Sequence, residues 1–258
     1  MLAPLTLALL FFGTSQQLCV VVSLIVAGLL YEWHRFRPPL VRVDLALSIC
    51  LGWLLVISHC MGRADWLPAL LTGGLAIFLG VATWRFSPEN RVLDRTGFLV
   101  FGQIYCTMPL VLFLQIHAMP HGPSLLGMLL LIVWGTDIGA YFAGRAFGKK
   151  KLAPQLSPGK TWAGFYGGLA FGTLAGWLAA TLLLATYKPW HILLLGLILS
   201  LVGQWGDLAE SMVKRESNVK DSGSLIPGHG GLLDRLDSLL LATPVLNLCL
   251  FGVDLIGN

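Results

Sequence analysis

The stretch LLLIVWGTDIGAYFAGRAFGKKK, residues 129–151, decides the fold. It lies across the end of a longer apolar run, 124–147, in which Asp137 and Arg145 are the only charged residues, and it closes on Lys149, Lys150 and Lys151. Roughly 20 apolar residues in a helix cross a bilayer core, and a basic cluster at the helix end marks the cytoplasmic side. Further apolar runs occur at 2–12, 18–31, 45–59, 66–84, 97–117, 162–186, 190–208 and 232–256. Hydrophobic residues make up 56% of the 258-residue chain and charged residues 12%, against about 25% charged in an ordinary soluble domain. Backbone polar groups in lipid must be satisfied within the segment itself. The composition therefore predicts an all-α integral membrane protein, a polytopic bundle of eight or nine transmembrane helices. The N-terminal helices (1–123) and the C-terminal helices (124–258), which carry the polar motifs, are expected to form one membrane domain.

The first run is short, contains Pro4 and ends at the polar GTSQQ of 13–17, which predicts a short first helix. No Lys or Arg precedes Arg35, so the basic segment of a secretory signal is missing. The basic residues alternate by connection. Of 17 Lys and Arg, only Arg63 and Lys188 lie outside the clusters around Arg35–Arg42, Arg85–Arg95, Arg145–Lys160 and Lys214–Arg235. With nine helices, this places those four clusters and the N-terminus in the cytoplasm and the C-terminus outside. The net charge of +4 suits anionic headgroups and selects no substrate. The five cysteines, Cys19, Cys50, Cys60, Cys106 and Cys249, are scattered without CxxC spacing, so neither a disulfide framework nor a zinc site is indicated.

Acids inside apolar runs are costly and call for a partner or a function. Asp137 is one such residue, with Arg145 two turns along as its structural partner. Asp207, in LILSLVGQWGDLAESMVKR, is another. Asp207, Glu210 and Lys214 share one helix face, and Glu210 with Lys214 makes a standard i,i+4 pair, which leaves Asp207 the better claim to function. In SPGKTW (157–162), Ser157 is read as a helix N-cap and Pro158 as a first-turn residue. Such a helix start, with Lys160 beside it, would hold a phosphate. The GlyLysThr within it is no P-loop, because Pro154 stands where that motif needs glycine and no strand is expected before it.

The segment SMVKRESNVKDSGSLIPGHGGLLDRLDS, residues 211–238, concentrates the remaining polar chemistry. Lys214, Arg215 and Lys220 offer charge to a polyphosphate. Gly228, Gly230 and Gly231 permit backbone N–H groups to converge on an anion, and His229 between them can donate to a phosphate oxygen. Asp234 and Asp237 lie on one face of the last helix and, with Asp207 and Asp221, set a carboxylate cluster beside the basic one. Carboxylates would repel a phosphate unless a cation lay between. Mg²⁺ resolves the conflict, taking one or two carboxylates and completing its shell with water and phosphate oxygens. Phosphoryl or nucleotidyl transfer is the chemistry implied.

These residues resemble the signature of the phosphatidate cytidylyltransferases, or CDP-diacylglycerol synthases. Ser211, Lys214–Arg215, Lys220–Asp221, the ProxHisGlyGly turn at 227–231 and Asp234–Arg235–x–Asp237 match it without departure. The likeness to the bacterial members extends through 134–168 and 206–215, roughly the second half of the chain. The resemblance implies transfer of CMP from CTP to phosphatidic acid, with Mg²⁺ and room for a second, monovalent cation. Asp221, Asp234, Asp207 and Asp137 are the implied metal-ligand candidates, with Asp237 beside them. Lys160, Lys214, Arg215, Lys220 and Arg235 would grip the phosphates, and Ser157, Ser211 and the 227–231 turn would shape the substrate site. The implied setting is a bacterial inner membrane with the site facing the cytoplasm. The implied partners are CTP, phosphatidic acid and membrane lipids, in a homodimer, without nucleic acid. The main rival is an ion-coupled transporter using Asp137 and Asp207. A CDP-alcohol phosphotransferase would need a pair of Asp at four-residue spacing, whereas Asp234 and Asp237 are three apart.

Overall fold

The computed structural model describes residues 2–37, 41–85, 92–184, 188–223, 225 and 230–252. Along the chain run α1 (Leu2–Phe12), α2 (Ser15–Arg35), α3 (Arg42–Cys60), α4 (Leu67–Trp84) and α5 (Val92–Gly102). A π-helical turn (Gln103–Thr107) joins α5 to α6 (Met108–His117). Then come α7 (Gly122–Phe147), β1 (Lys151–Ala153), β2 (Ser157–Thr161), α8 (Trp162–Leu183), α9 (Pro189–Glu216) and α10 (Leu233–Gly252). Among the described residues, seven helical segments are long and apolar enough to cross a membrane, with α5 and α6 counting as one. The all-α membrane architecture is thus as the sequence implies. Eleven residues give α1 a rise of only about 16 Å, short of a bilayer core. Its break from α2 has a local cause: Thr14 and Gln17 form a reciprocal capping box, with bonds of 2.9 and 3.2 Å.

The chain forms two compact units. The first comprises Met1–Phe12, Ile116–Lys220 and Asp234–Asn258. Its centre is the packing of α8 against α7 and α9. Gly164, Gly168, Gly172 and Gly176 are all buried and recur every fourth residue on one side of α8. A Cβ on Gly164 would stand 2.8 Å from the Ala140 carbonyl oxygen, so only glycine allows this approach. Lipid offers no hydrophobic drive between helices, and close backbone packing of this kind is what holds them.

The second unit comprises Gly13–Gln115 and Asp221–Leu233. Here Trp33 of α2 stacks on Phe98 with centroids 5.1 Å apart and donates to the Phe98 carbonyl at 3.0 Å. Arg95 grips the buried Asp44 with two bonds of 2.7 and 2.6 Å. Pro109 lacks the N–H that would bond one turn back and its ring crowds that turn, and the π-helical turn lies where this strain falls.

Three expectations need correction. The Cys19 and Cys60 sulfurs are bonded, with Cα atoms 6.5 Å apart. Sequence spacing gave no hint because the partners lie on different helices and meet only where α2 and α3 pack together. The residues 157–161 are the second strand of an antiparallel hairpin rather than a helix start. The cap of α8 is Thr161, which accepts from the Gly164 N–H at 3.1 Å, while Pro158 sits in a two-stranded hairpin where a missing donor is tolerated. A strand, β1, does precede GlyLysThr, yet Lys160 and Thr161 are themselves strand residues, so no phosphate loop forms and Pro154 still bars the motif.

Candidate active site

In the first unit a cleft of about 510 Å³ opens between α7, the β hairpin, α8 and α9. Asp137, Tyr141, Lys160, Phe165, Gln204 and Asp207 line it. The Lys160 ammonium lies 2.7 Å from Asp207, bringing the end of the hairpin onto α9. Thr161 fixes that geometry, because its cap bond sets where β2 ends and α8 begins. The Asp137–Arg145 pair considered from sequence is not among the bonds of the described residues; Arg145 donates to the Tyr141 hydroxyl at 3.0 Å. Asp137 therefore stays open to the cleft, close enough to Asp207 and Lys160 for their charges to interact.

A second centre lies along the same face of α9. Lys214 donates to Glu210 at 2.8 Å, the expected i,i+4 pair, and to Asp234 of α10 at 2.6 Å. Ser211, buried one turn after Asp207, donates weakly to it at 3.5 Å. Asp237 interacts electrostatically with Asp207, Asp137, Lys160 and Glu210. Its backbone reaches α9 because Gly206 has no side chain: a Cβ there would meet the Asp237 carbonyl oxygen at 2.5 Å. Five carboxylates, those of Asp137, Asp207, Glu210, Asp234 and Asp237, thus share two lysines, Lys160 and Lys214. No group of three or more His, Cys, Asp or Glu among the described residues is already arranged around a metal position.

The other candidates are placed as follows. Ser157 is half-buried at the start of β2, and the exposed Arg215 donates to the Leu156 carbonyl at 3.2 Å, tying α9 to the hairpin turn. Asn218, in the left-handed conformation with φ of 57°, ends α9, and the Asn218 and Val219 N–H groups bond back to Arg215 and Lys214. Lys220 and Arg235 are exposed. Asp221 belongs to the second unit, where it is exposed. Gly228 and His229 lie outside the described residues.

Gly230 and Gly231 also belong to the second unit, and there Gly231 meets a residue the sequence reading passed over. Glu32, fully buried on α2, accepts from the Leu232 N–H at 2.9 Å, the Leu233 N–H at 2.8 Å and the Ser222 hydroxyl at 3.0 Å. The backbone donors that directly follow the expected anion-binding glycines thus cradle the protein's own carboxylate. The signal was available: Glu32 directly follows the apolar run 18–31, as open to question as Asp137 or Asp207. Gln204 is the other omission, a polar residue in an apolar helix whose amide points to the Phe165 carbonyl at 3.3 Å.

The chain is 52% identical over 227 residues to the phosphatidate cytidylyltransferase of Brucella suis biovar 1, a match covering 86% of this chain and 79% of that protein. It is 34% identical over 224 residues to the enzyme of that name from Bacillus subtilis, covering 84% and 82% of the two chains. The namesake from Haemophilus influenzae is 34% identical over 273 residues, 96% of this chain and 94% of its own. A model described as the cytidylyltransferase family matches residues 1–252, and the chain belongs to that family.

Proposed function

We propose that the protein is a CTP:phosphatidate cytidylyltransferase, moving CMP from CTP to phosphatidic acid and releasing pyrophosphate. The observation that carries this reading is the cluster of Asp137, Lys160 and Asp207 in a cleft among membrane-spanning helices, continued along α9 by the Lys214–Asp234 pair, whose residues match the signature at 211–238. Relatives of up to 52% identity bear that enzyme's name. An oxygen of the lipid phosphate attacks the α-phosphorus of CTP, the new P–O bond forms, and the bond from that phosphorus to the bridging oxygen breaks. Phosphatidic acid is already an anionic nucleophile near neutral pH, so the protein's task is alignment and charge neutralisation.

The carboxylates suit a hard divalent cation in donor type, and Mg²⁺ needs only one or two of them. Asp137, Asp207, Asp234 and Asp237 are the residues of the first unit that would hold it. When bound, Mg²⁺ supplies neutralisation of the phosphate charge. Lys160, Lys214, Arg215, Lys220 and Arg235 supply the cations that hold the triphosphate and the lipid headgroup.

The basic connections support an orientation with this centre facing the cytoplasm at a bacterial inner membrane, where CTP is available. The disulfide supports the orientation. Cys19 and Cys60 join the ends of α2 and α3 remote from Arg35 and Arg42, so with those basic ends inside the bond would lie on the outer side, where disulfides persist. The transporter alternative loses its premise, since Asp137 and Asp207 are not isolated acids but members of a lysine-bearing cluster.

The test is incubation of the purified protein with phosphatidic acid, Mg²⁺ and each labelled nucleoside triphosphate in turn. Chloroform-soluble label from CTP, removed by EDTA and restored by Mg²⁺, is expected. A folded protein that yields no lipid-linked label from any nucleotide would contradict the reading.

A further inference from the structure

Glu32 stands where local rules oppose it. An acid in the last turn of a helix faces the negative end of the helix dipole, and a carboxylate removed from water is costly unless its oxygens are fully engaged. Glu32 is in the last turn of α2 and has no solvent exposure. Among the described residues, its hydrogen-bond donors come from one segment of the chain. Oε2 accepts from the Ser222 hydroxyl and the Leu233 N–H, and Oε1 from the Leu232 N–H.

Those partners lie at the two ends of residues 222–233. Two glycines let the backbone close on the carboxylate: a Cβ on Gly223 would stand 2.5 Å from Oε1, and one on Gly231 would stand 2.7 Å from Oε2. Gly231 of the signature, with Gly223, thus serves close approach to an internal anion. Ser222 directly follows Asp221, and Leu233 directly precedes Asp234, so the clasp fixes the backbone adjoining a candidate ligand at each end of the segment.

We propose that Glu32 is a positioning residue for cytidylyl transfer, tying Ser222 to Leu232 and Leu233 through its carboxylate so that the backbone adjoining Asp221 and Asp234 is held in place. The proposal rests on the function given above. Glu32 touches no substrate; it acts through Ser222, Leu232 and Leu233.

The test compares Glu32→Gln, Glu32→Asp and Ser222→Ala with wild type and with Asp44→Asn, a control that breaks the Arg95 pair in the same unit. Glu32→Gln keeps the volume but sets an amide donor against donors. Expected is a fall in kcat of about tenfold or more per folded molecule, the scale of a lost charge-assisted bond, with weaker Mg²⁺ saturation and unchanged KM for phosphatidic acid. Glu32→Asp recovers part of the loss, Ser222→Ala shows a smaller loss in the same direction, and Asp44→Asn lowers folded yield without changing kcat per folded molecule. Hydrogen exchange at the Leu232 and Leu233 amides reads the clasp independently of activity and should accelerate in Glu32→Gln. Unchanged exchange in that variant overturns the proposal whatever the activity, as does wild-type kcat and Mg²⁺ dependence in its folded fraction. If Glu32→Gln does not accumulate, a Ser222→Ala enzyme with wild-type kinetics overturns it. A wild type that makes no lipid-linked label fails the functional reading instead, with the exchange difference intact.

Discussion

The Lys214 ammonium lies 2.6 Å from Asp234 and 2.8 Å from Glu210, joining α9 to the first turn of α10 through one buried cation. Removing one partner from a buried cluster leaves the others uncompensated, which typically costs about 3 kcal/mol. Lys214→Ala should therefore lower the unfolding temperature and abolish transfer together. Adding Glu210→Gln to it should recover part of the stability and none of the activity. Recovery of both would make Lys214 purely structural. Thermal unfolding and turnover on the same preparations separate the two.

Lys160 and Asp207 are paired at 2.7 Å but remain partly exposed, so the pair should contribute no more than about 1 kcal/mol to stability. Lys160→Ala should leave thermal unfolding nearly unchanged while reducing kcat/KM for CTP by about tenfold or more, as expected for loss of a cation aimed at a phosphate. A matched fall in stability and activity would contradict this assignment.

The site depends on α7 and α8 lying close enough for Asp137 and Lys160 to share a cleft. Gly164→Val forces side-chain atoms against the Ala140 carbonyl, where even a Cβ would be at 2.8 Å, and should destabilise by roughly 1–3 kcal/mol. Activity should fall further than folded yield. Gly73, beside which a Cβ meets nothing within 4 Å, supplies the control, and Gly73→Ala should be silent in both assays.

Sidedness can be read from the disulfide. A membrane-impermeant reductant applied to right-side-out vesicles should expose Cys19 and Cys60 to alkylation, and the same reagent on inverted vesicles should not. The reverse pattern would invert the topology and move the candidate site away from the cytoplasm.

Much of this was legible in the sequence because lipid imposes a simple rule. Long apolar runs must be helices, and charges within them must be explained, which found Asp137, Asp207 and the Glu210–Lys214 pair directly. Relationships between distant residues were not legible. Nothing in the order of residues says that Cys60 meets Cys19, that Lys214 reaches Asp234, or that Leu233 donates to a carboxylate 201 positions earlier. The local error at 157–161 has a different origin. Ser–Pro suits a helix start and a hairpin equally, and the pairing of Ala153 with Ser157, which tertiary context supplies, decides between them.

The most direct measurement follows the phosphorus atoms. CTP labelled at the α position and CTP labelled at the γ position are incubated separately with the wild type, phosphatidic acid and Mg²⁺. Attack at the α-phosphorus puts the α label in the chloroform phase and the γ label in pyrophosphate. Appearance of the γ label in lipid would mean phosphoryl rather than cytidylyl transfer and would contradict the assigned chemistry.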